Sequence, residues 1–256
     1  MNKKQILILG GTTEARDLAA RLATREDIDV VLSLAGRTAD PAPQPTPVRI
    51  GGFGGVGGLV AYLRSNAVDL LVDATHPFAR RISVNARQAS AESGVPLLRL
   101  ERAGWDPVAG DQWVRVSSVD EAATALGHEP RRIFLAIGRQ EVAAFEAAPQ
   151  HHYLVRSVDP VEPPLDVPSA EYSLARGPFE IEGEIRLLRN HRIDAIVSKN
   201  SGGEATYAKI AAARALRLTV IMIERAQPSD GITAENVGDA VRLVDHLISP
   251  DKKRGV

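Results

Sequence analysis

A run of four branched aliphatic residues, Ile6-Leu7-Ile8-Leu9, leads into Gly10-Gly11-Thr12-Thr13-Glu14-Ala15. Glycines let backbone N–H groups come close to a phosphate, and a helix starting here turns its positive end toward the same anion. The spacing is Gly-Gly-x-x-x-Ala, not the full Gly-x-Gly-x-x-Gly fingerprint, so a plain strand-to-helix turn is the alternative. Further on comes Ser33-Leu34-Ala35-Gly36-Arg37-Thr38, where a dinucleotide site ordinarily offers a carboxylate to a ribose hydroxyl. Ser33 and Thr38 offer hydroxyls instead, and Arg37 a guanidinium. That set suits a 2′-phosphate, so a bound nucleotide is expected to be NADPH and not NADH; a solvated loop arginine is the alternative. The glycine run from Gly51 to Gly58, which includes Gly52 and Phe53, reads either as a linker or as backbone passing close to a cofactor. Asp73-Ala74-Thr75-His76-Pro77-Phe78-Ala79 reads as a capping turn with Pro77 in the first turn of a helix, and Asp73, Thr75 and His76 as possible cofactor contacts. His76 is also a candidate proton donor, although a lone histidine is thin support for that role.

The second half places cations at matching points. Gly138-Arg139-Gln140, Arg176-Gly177-Pro178-Phe179 and Lys199-Asn200-Ser201-Gly202-Gly203 each follow an apolar run. Taken singly, each cation is an ordinary surface charge. Together with amides and helix N-termini they describe a site for an acidic ligand.

Buried parallel strands must carry these loops, because ligands of parallel sheets sit beyond the carboxyl ends of the strands. Strands are expected at Ile6–Leu9, Val30–Leu34, Val48–Ile50, Leu70–Val72 and Val95–Leu100, with helices at about 58–66 and 77–93. Ala15, Leu18, Ala19 and Leu22 form one helical face. The second half repeats the scheme with strands at Ile133–Ile137, Tyr153–Val158, Tyr172–Ala175, Ile193–Ser198 and Thr219–Ile223, and a closing helix over Val237–Leu247. Three segments echo across the halves at nearly constant spacing, and Glu-Arg-Ala closes both Leu97–Ala103 and Val220–Ala226. The expected fold is therefore α/β: two Rossmann-like, doubly wound parallel-sheet domains with a cleft between their strand C-terminal ends. Residues 1–113 form the nucleotide domain and 114–256 the substrate domain. The boundary lies near Gly110–Ser118, and the last strand of one half is free to join the other sheet.

Composition narrows the function. Of 256 residues, 31 are Lys or Arg and 32 Asp or Glu, giving a net charge of −1, which argues against nucleic acid or an anionic membrane as partner. Cysteine is absent, which removes disulfides, thiolate catalysis and Cys-ligated metals. His151 and His152 are adjacent, so in a strand they face opposite ways, and no metal site is expected. No apolar run reaches the length of a membrane span, and the residues before Gly10 are too few for a signal peptide. A cytoplasmic, monomeric protein is expected.

The loops named above, from Leu9–Arg16 through Leu34–Thr38, Ile50–Gly55, Asp73–Ala79, Gly138–Gln140 and Lys199–Gly203, resemble the precorrin-6A reductase family of cobalamin biosynthesis. The resemblance runs from about Ile6 to Arg225, in the family's order. It implies NADPH-dependent reduction of precorrin-6A to precorrin-6B by direct hydride transfer, the chemistry of an oxidoreductase acting on a CH–CH group with NADP as acceptor. It implies NADPH contacts at Gly10, Gly11, Thr12, Thr13, Glu14, Ala15, Ser33, Arg37, Thr38, Gly52, Phe53, Asp73, Thr75 and His76. It implies substrate contacts at Arg139, Gln140, Arg176, Lys199, Asn200, Ser201 and Gly202. The implied substrate is a tetrapyrrole-derived polyanion, which suits Arg139 and Lys199. A related reductase acts on cobalt-precorrin-6A, and Ile50–Gly55 looks more like the cobalt-free type. Another NAD(P)-dependent small-molecule reductase and a nucleotide-sensing protein are the competing readings.

Overall fold

The computed structural model describes residues 3–36, 42–225 and 231–249. The chain divides into two compact units, Met1–Arg102 with Pro228–Val256, and Ala103–Gln227.

The first unit opens with β1 (Lys4–Leu9), α1 (Thr13–Ala23), β2 (Ile28–Leu34) and β3 (Val48–Ile50). It continues through α2 (Val56–Ser65), β4 (Leu70–Asp73), α3 (Arg80–Ser93) and β5 (Leu97–Leu100). The second unit runs β6 (Gln112–Val116), α4 (Val119–Ala125), β7 (Arg132–Ala136), a 3-10 turn (Val142–Ala147), β8 (His152–Ser157) and β9 (Ala170–Leu174). It ends with α5 (Ile181–Asn190), β10 (Ala195–Lys199), α6 (Ala208–Leu216) and β11 (Thr219–Ile223). The chain then returns to the first unit with β12 (Ile232–Ala234) and α7 (Val237–Ile248).

Each unit holds one six-stranded sheet, ordered β12-β5-β4-β1-β2-β3 and β6-β11-β10-β7-β8-β9. Every pairing is parallel. The strand period of two explains why both faces are covered. Ile6 and Ile8 of β1 pack with Leu18 and Leu22 of α1 and Val244 of α7. Leu7 and Leu9 point the other way, onto Leu59 and Leu63 of α2 and Ala86 and Ala89 of α3. Each such side chain contributes about 1.5–3 kcal/mol by leaving water, so β1 is anchored between two helical layers. In the second unit Phe134, Ile196 and Met222 pack with Leu188 of α5 and Ile210 of α6.

The expected division at 113/114 is corrected. The supposed boundary, Gly110–Ser118, carries β6, whose register runs from Gln112 opposite Thr219 to Val116 opposite Ile223. Conversely β12 pairs with β5, and α7 packs in the first unit's core. Each sheet takes its sixth strand from the segment that follows the other sheet's fifth. The predicted helix starting at Pro77 also shifts: His76–Ala79 is a turn closed by the Ala79 N–H on the His76 carbonyl at 2.7 Å, and α3 begins at Arg80. Among the described residues no helix is long and apolar enough to cross a membrane.

Candidate active site

In the first unit the carboxyl ends of β1, β2, β3, β4 and β5 bring most of the predicted nucleotide residues to one edge. Gly10 donates to the Ser33 carbonyl at 2.9 Å, and a Cβ on Gly10 would stand 2.6 Å from Leu32 Cδ1, so this glycine serves close strand packing. Gly11 differs: its φ is +115° and no atom lies within 4 Å of the place a Cβ would take. Thr12 caps α1, accepting the Ala15 N–H at 3.1 Å, and its hydroxyl donates to the Ala74 carbonyl at 2.8 Å. One side chain thus ties the loop after β1 to the loop after β4. The N–H groups of Thr13 and Glu14 lie in the first turn, where a helix supplies no acceptor. The Ala15 side chain is core, and its N–H is taken by Thr12.

Asp73 stands at the end of β4. It is buried, and its Oδ1 accepts the Thr75 N–H at 3.1 Å and the Thr75 hydroxyl at 2.6 Å, so it shapes its own loop. His76 Nδ1 accepts the Phe78 N–H at 3.3 Å, which leaves the proton of the neutral ring on Nε2. A narrow cleft lined by Thr12, Glu14, Thr75, Pro77 and Arg102 separates these loops. Arg102, just past β5, donates to Glu14 at 2.5 Å. Arg37 and Thr38 lie outside the described residues. Ser33 is buried at the end of β2, and Phe53 packs edge-on against Tyr62 with centroids 5.3 Å apart. Gly55 caps α2 without a side-chain bond, and no acidic residue stands in that helix's first turn.

In the second unit the loops after β7, β9 and β10 carry the predicted cations. Arg139 reaches the Pro160 carbonyl at 3.3 Å and lies 3.8 Å from Asp159, with Gln140 exposed beside it. Arg176 is exposed on the loop after β9. Lys199 ends β10, is 14% exposed and pairs with Glu141; burial pushes its ammonium down to about 8. Ser201 is buried, its N–H turned back to the Lys199 carbonyl at 2.8 Å. Asn200 and Gly202 are engaged within the unit. The Asn200 amide is spent on Trp105 and Glu224, and a Cβ on Gly202 would stand 2.0 Å from the Ala103 carbonyl oxygen. Both hold the Ala103–Trp105 segment.

Three arrangements escape sequence reading. Arg49 on β3 fixes the glycine run. Arg102 meets Glu14 and, at the echoed position, Arg225 donates to the Asn200 carbonyl at 2.7 Å. The repeated Glu-Arg-Ala was the available signal for that pair. Arg156 of β8 and Glu184 of α5 form a buried ion pair with no sequence signal at all.

The model of the precorrin-6x reductase CbiJ/CobK family matches residues 5–247. This chain belongs to that family. As a CbiJ/CobK-type reductase it is an oxidoreductase. A precorrin-6A reductase from Sinorhizobium sp is 56% identical over 250 residues, covering 98% of this chain and 96% of the relative. A solved structure of CobK precorrin-6A reductase superposes with a TM-score of 0.91 at 47% identity, covering 99% of this chain and all of that one. A cobalt-precorrin-6A reductase from Priestia megaterium is 30% identical, covering 86% of this chain and 90% of the relative. The fold seen here, with two parallel six-stranded sheets, is shared with that CobK structure.

Proposed function

We propose that this reductase converts precorrin-6A to precorrin-6B in cobalamin biosynthesis, with NADPH held by the first unit and the macrocycle by the second. The observation that carries the nucleotide assignment is Gly11: a positive φ, open space on its Cβ side, and the first-turn amides of α1 just beyond. A pyrophosphate fits such a turn, because the donors are backbone groups and the helix end favours negative charge. NADPH, when bound, supplies the hydride. The chain's own residues do the rest. Thr12 holds the β1 and β4 loops together, and Ser33 with Arg37 favours a 2′-phosphate. Arg139, Arg176 and Lys199 offer charge to the carboxylates of the macrocycle, with Gln140 and Ser201 beside them. Asn200 and Gly202 keep the β10 loop in place. His76 or water supplies the proton, and water is preferred because a lone histidine is thin support for general-acid work.

The cobalt-free substrate is preferred because identity is 56% to a relative named for precorrin-6A and 30% to one named for the cobalt form. The same reading takes a monomer in the cytoplasm as the working unit. The test is absorbance of purified precorrin-6A with NADPH, with NADH, and without nucleotide. Loss of the substrate spectrum matched by NADPH oxidation is expected, and deuterium from nicotinamide-labelled NADPH should appear on product carbon. NADPH binding with no turnover would replace the reductase reading with a sensor.

A further inference from the structure

We propose that Arg49, together with Ser33, forms the corner that receives the ribose 2′-phosphate, which makes Arg49 a specificity-determining residue for the nucleotide. This inference rests on the reading that the first unit holds NADPH.

Arg49 is the middle residue of β3, and its register partner in β2 is Ser33. Ser33 stands at the end of β2, the place where a parallel nucleotide-binding sheet meets the adenosine ribose. The Arg49 guanidinium lies 3.5 Å from Ser33 Oγ. It also donates to the Gly51 carbonyl and, at 2.8 Å, to the Gly52 carbonyl. Its central carbon sits 3.8 Å above the Phe53 ring and 5.5 Å from the Tyr62 ring. The head group is thus held by the strand end, the glycine loop and an aromatic face at once. An arginine so fixed has already lost the rotamer freedom that a phosphate would otherwise have to take from it.

The donor arithmetic leaves room for a ligand. A guanidinium has five N–H groups and no acceptor. The bonds above use both NH1 hydrogens and one on NH2. The Nε–H and the second NH2 hydrogen have no acceptor among the described residues. None of the ion pairs among those residues joins a carboxylate to Arg49 either, so carbonyl dipoles and ring faces alone offset its charge. Gly51 and Gly52 have no atom within 4 Å of the place of a Cβ, so the surrounding surface is open. A 2′-phosphate supplies the missing anion and accepts in the geometry that a guanidinium offers. An unphosphorylated ribose brings two hydroxyls to a corner already rich in donors, and gains far less there.

The experiment titrates NADPH and NADH against wild type, Arg49→Gln and Ser33→Ala, reading protein fluorescence or heat. Arg49→Gln keeps donors for the glycine carbonyls but removes the charge. It should weaken NADPH by about 10- to 150-fold and leave NADH within a few-fold. Ser33→Ala, which leaves the guanidinium in place, should weaken NADPH by a smaller factor with NADH unchanged, and it carries the test if Arg49→Gln does not fold. Equal weakening of both nucleotides would make Arg49 a mere support of the glycine loop and overturn the proposal. So would no weakening of either. A wild type that prefers NADH overturns the NADPH reading and this corner with it, whereas a wild type that prefers NADPH and keeps that preference in both variants overturns the corner alone.

Discussion

Asn200 grips Trp105 from both ends of its amide. Its Oδ1 accepts the Trp105 backbone N–H at 2.7 Å, and its Nδ2 donates to the Trp105 carbonyl at 3.0 Å and to Glu224 at 3.1 Å. Trp105 Nε1 returns a bond to the Gly203 carbonyl at 3.0 Å, so the segment after β10 and the segment before β6 hold each other. Asn200→Ala leaves the buried Trp105 N–H and carbonyl unpaired, at a cost of about 1–3 kcal/mol each. Urea denaturation should show a loss of about 2–6 kcal/mol for the two together. NADPH affinity in the folded fraction should be unchanged, and a selective loss of nucleotide binding would contradict the clamp.

Arg156 and Glu184 form two parallel bonds, at 2.5 and 2.8 Å, with both side chains buried. The Arg156 guanidinium is also 3.8 Å from the Phe179 ring, three residues beyond Arg176. Removing one partner strands a charge, so Glu184→Gln should cost about 3–5 kcal/mol. The double replacement Arg156→Met with Glu184→Leu should recover much of that in thermal or urea unfolding. Because it also removes the face under Phe179, it should still raise the substrate constant. Full recovery of both would show that the pair has no part in placing the Arg176 loop.

The core was readable because its signals are local. The run Ile6–Leu9 followed by Gly10-Gly11, and the stripe of Ala15, Leu18, Ala19 and Leu22, need no distant partner to be recognised. β6 and β12 escaped because edge strands such as Gln112-Trp113-Val114-Arg115-Val116 and Ile232-Thr233-Ala234 have no continuous apolar run. Nothing in such a strand names the sheet it will join. The function of Asn200 escaped for a related reason: an amide in a Lys-Asn-Ser-Gly-Gly loop looks like a ligand contact until its partner, 95 residues away, is known. Ala15 and Asp73 show the same ambiguity, since a loop motif mixes residues that face a ligand with residues that build the loop. Arg49 carries no such signal, because a three-residue strand does not show what its middle side chain will meet.

Gly11 should be irreplaceable for two separable reasons. At φ +115° any side chain is strained, by about 1–3 kcal/mol. A Cβ there would also enter the space in which a pyrophosphate is expected. Since no atom stands within 4 Å of that position, packing adds nothing to the cost. Gly11→Ala should therefore lose stability in the strain range and NADPH affinity by more than tenfold. Normal NADPH binding with lowered stability would remove the turn from the nucleotide site.

His76 is a weaker candidate for chemistry. Its Nδ1 accepts from Phe78 and its ring lies tilted against the Phe78 ring with centroids 5.9 Å apart, which holds the turn before α3. General-acid catalysis typically contributes about 10²–10⁴-fold. His76→Ala should lower kcat by less than tenfold, leaving water as the donor. A loss of a hundredfold or more, with NADPH affinity intact, would make His76 the acid.

Lys199 should give substrate binding its pH dependence. Burial lowers its ammonium to about 8, so the side chain is charged below that pH and neutral above it. A carboxylate of the substrate is attracted only by the charged form. As pH rises through about 8 the substrate constant should therefore rise, while a bound polyanion, by favouring the ammonium, moves the midpoint upward. Glu141 already pairs with Lys199, so the substrate competes with it for the ammonium. Lys199→Met should raise the substrate constant roughly 10- to 150-fold, the equivalent of one lost charge-assisted bond, and flatten the profile near pH 8. Lys199→Arg should keep its charge to higher pH, because a guanidinium does not titrate there. NADPH affinity should move in neither variant. If Lys199→Met instead weakens NADPH and spares the substrate, the two units have exchanged the roles assigned to them.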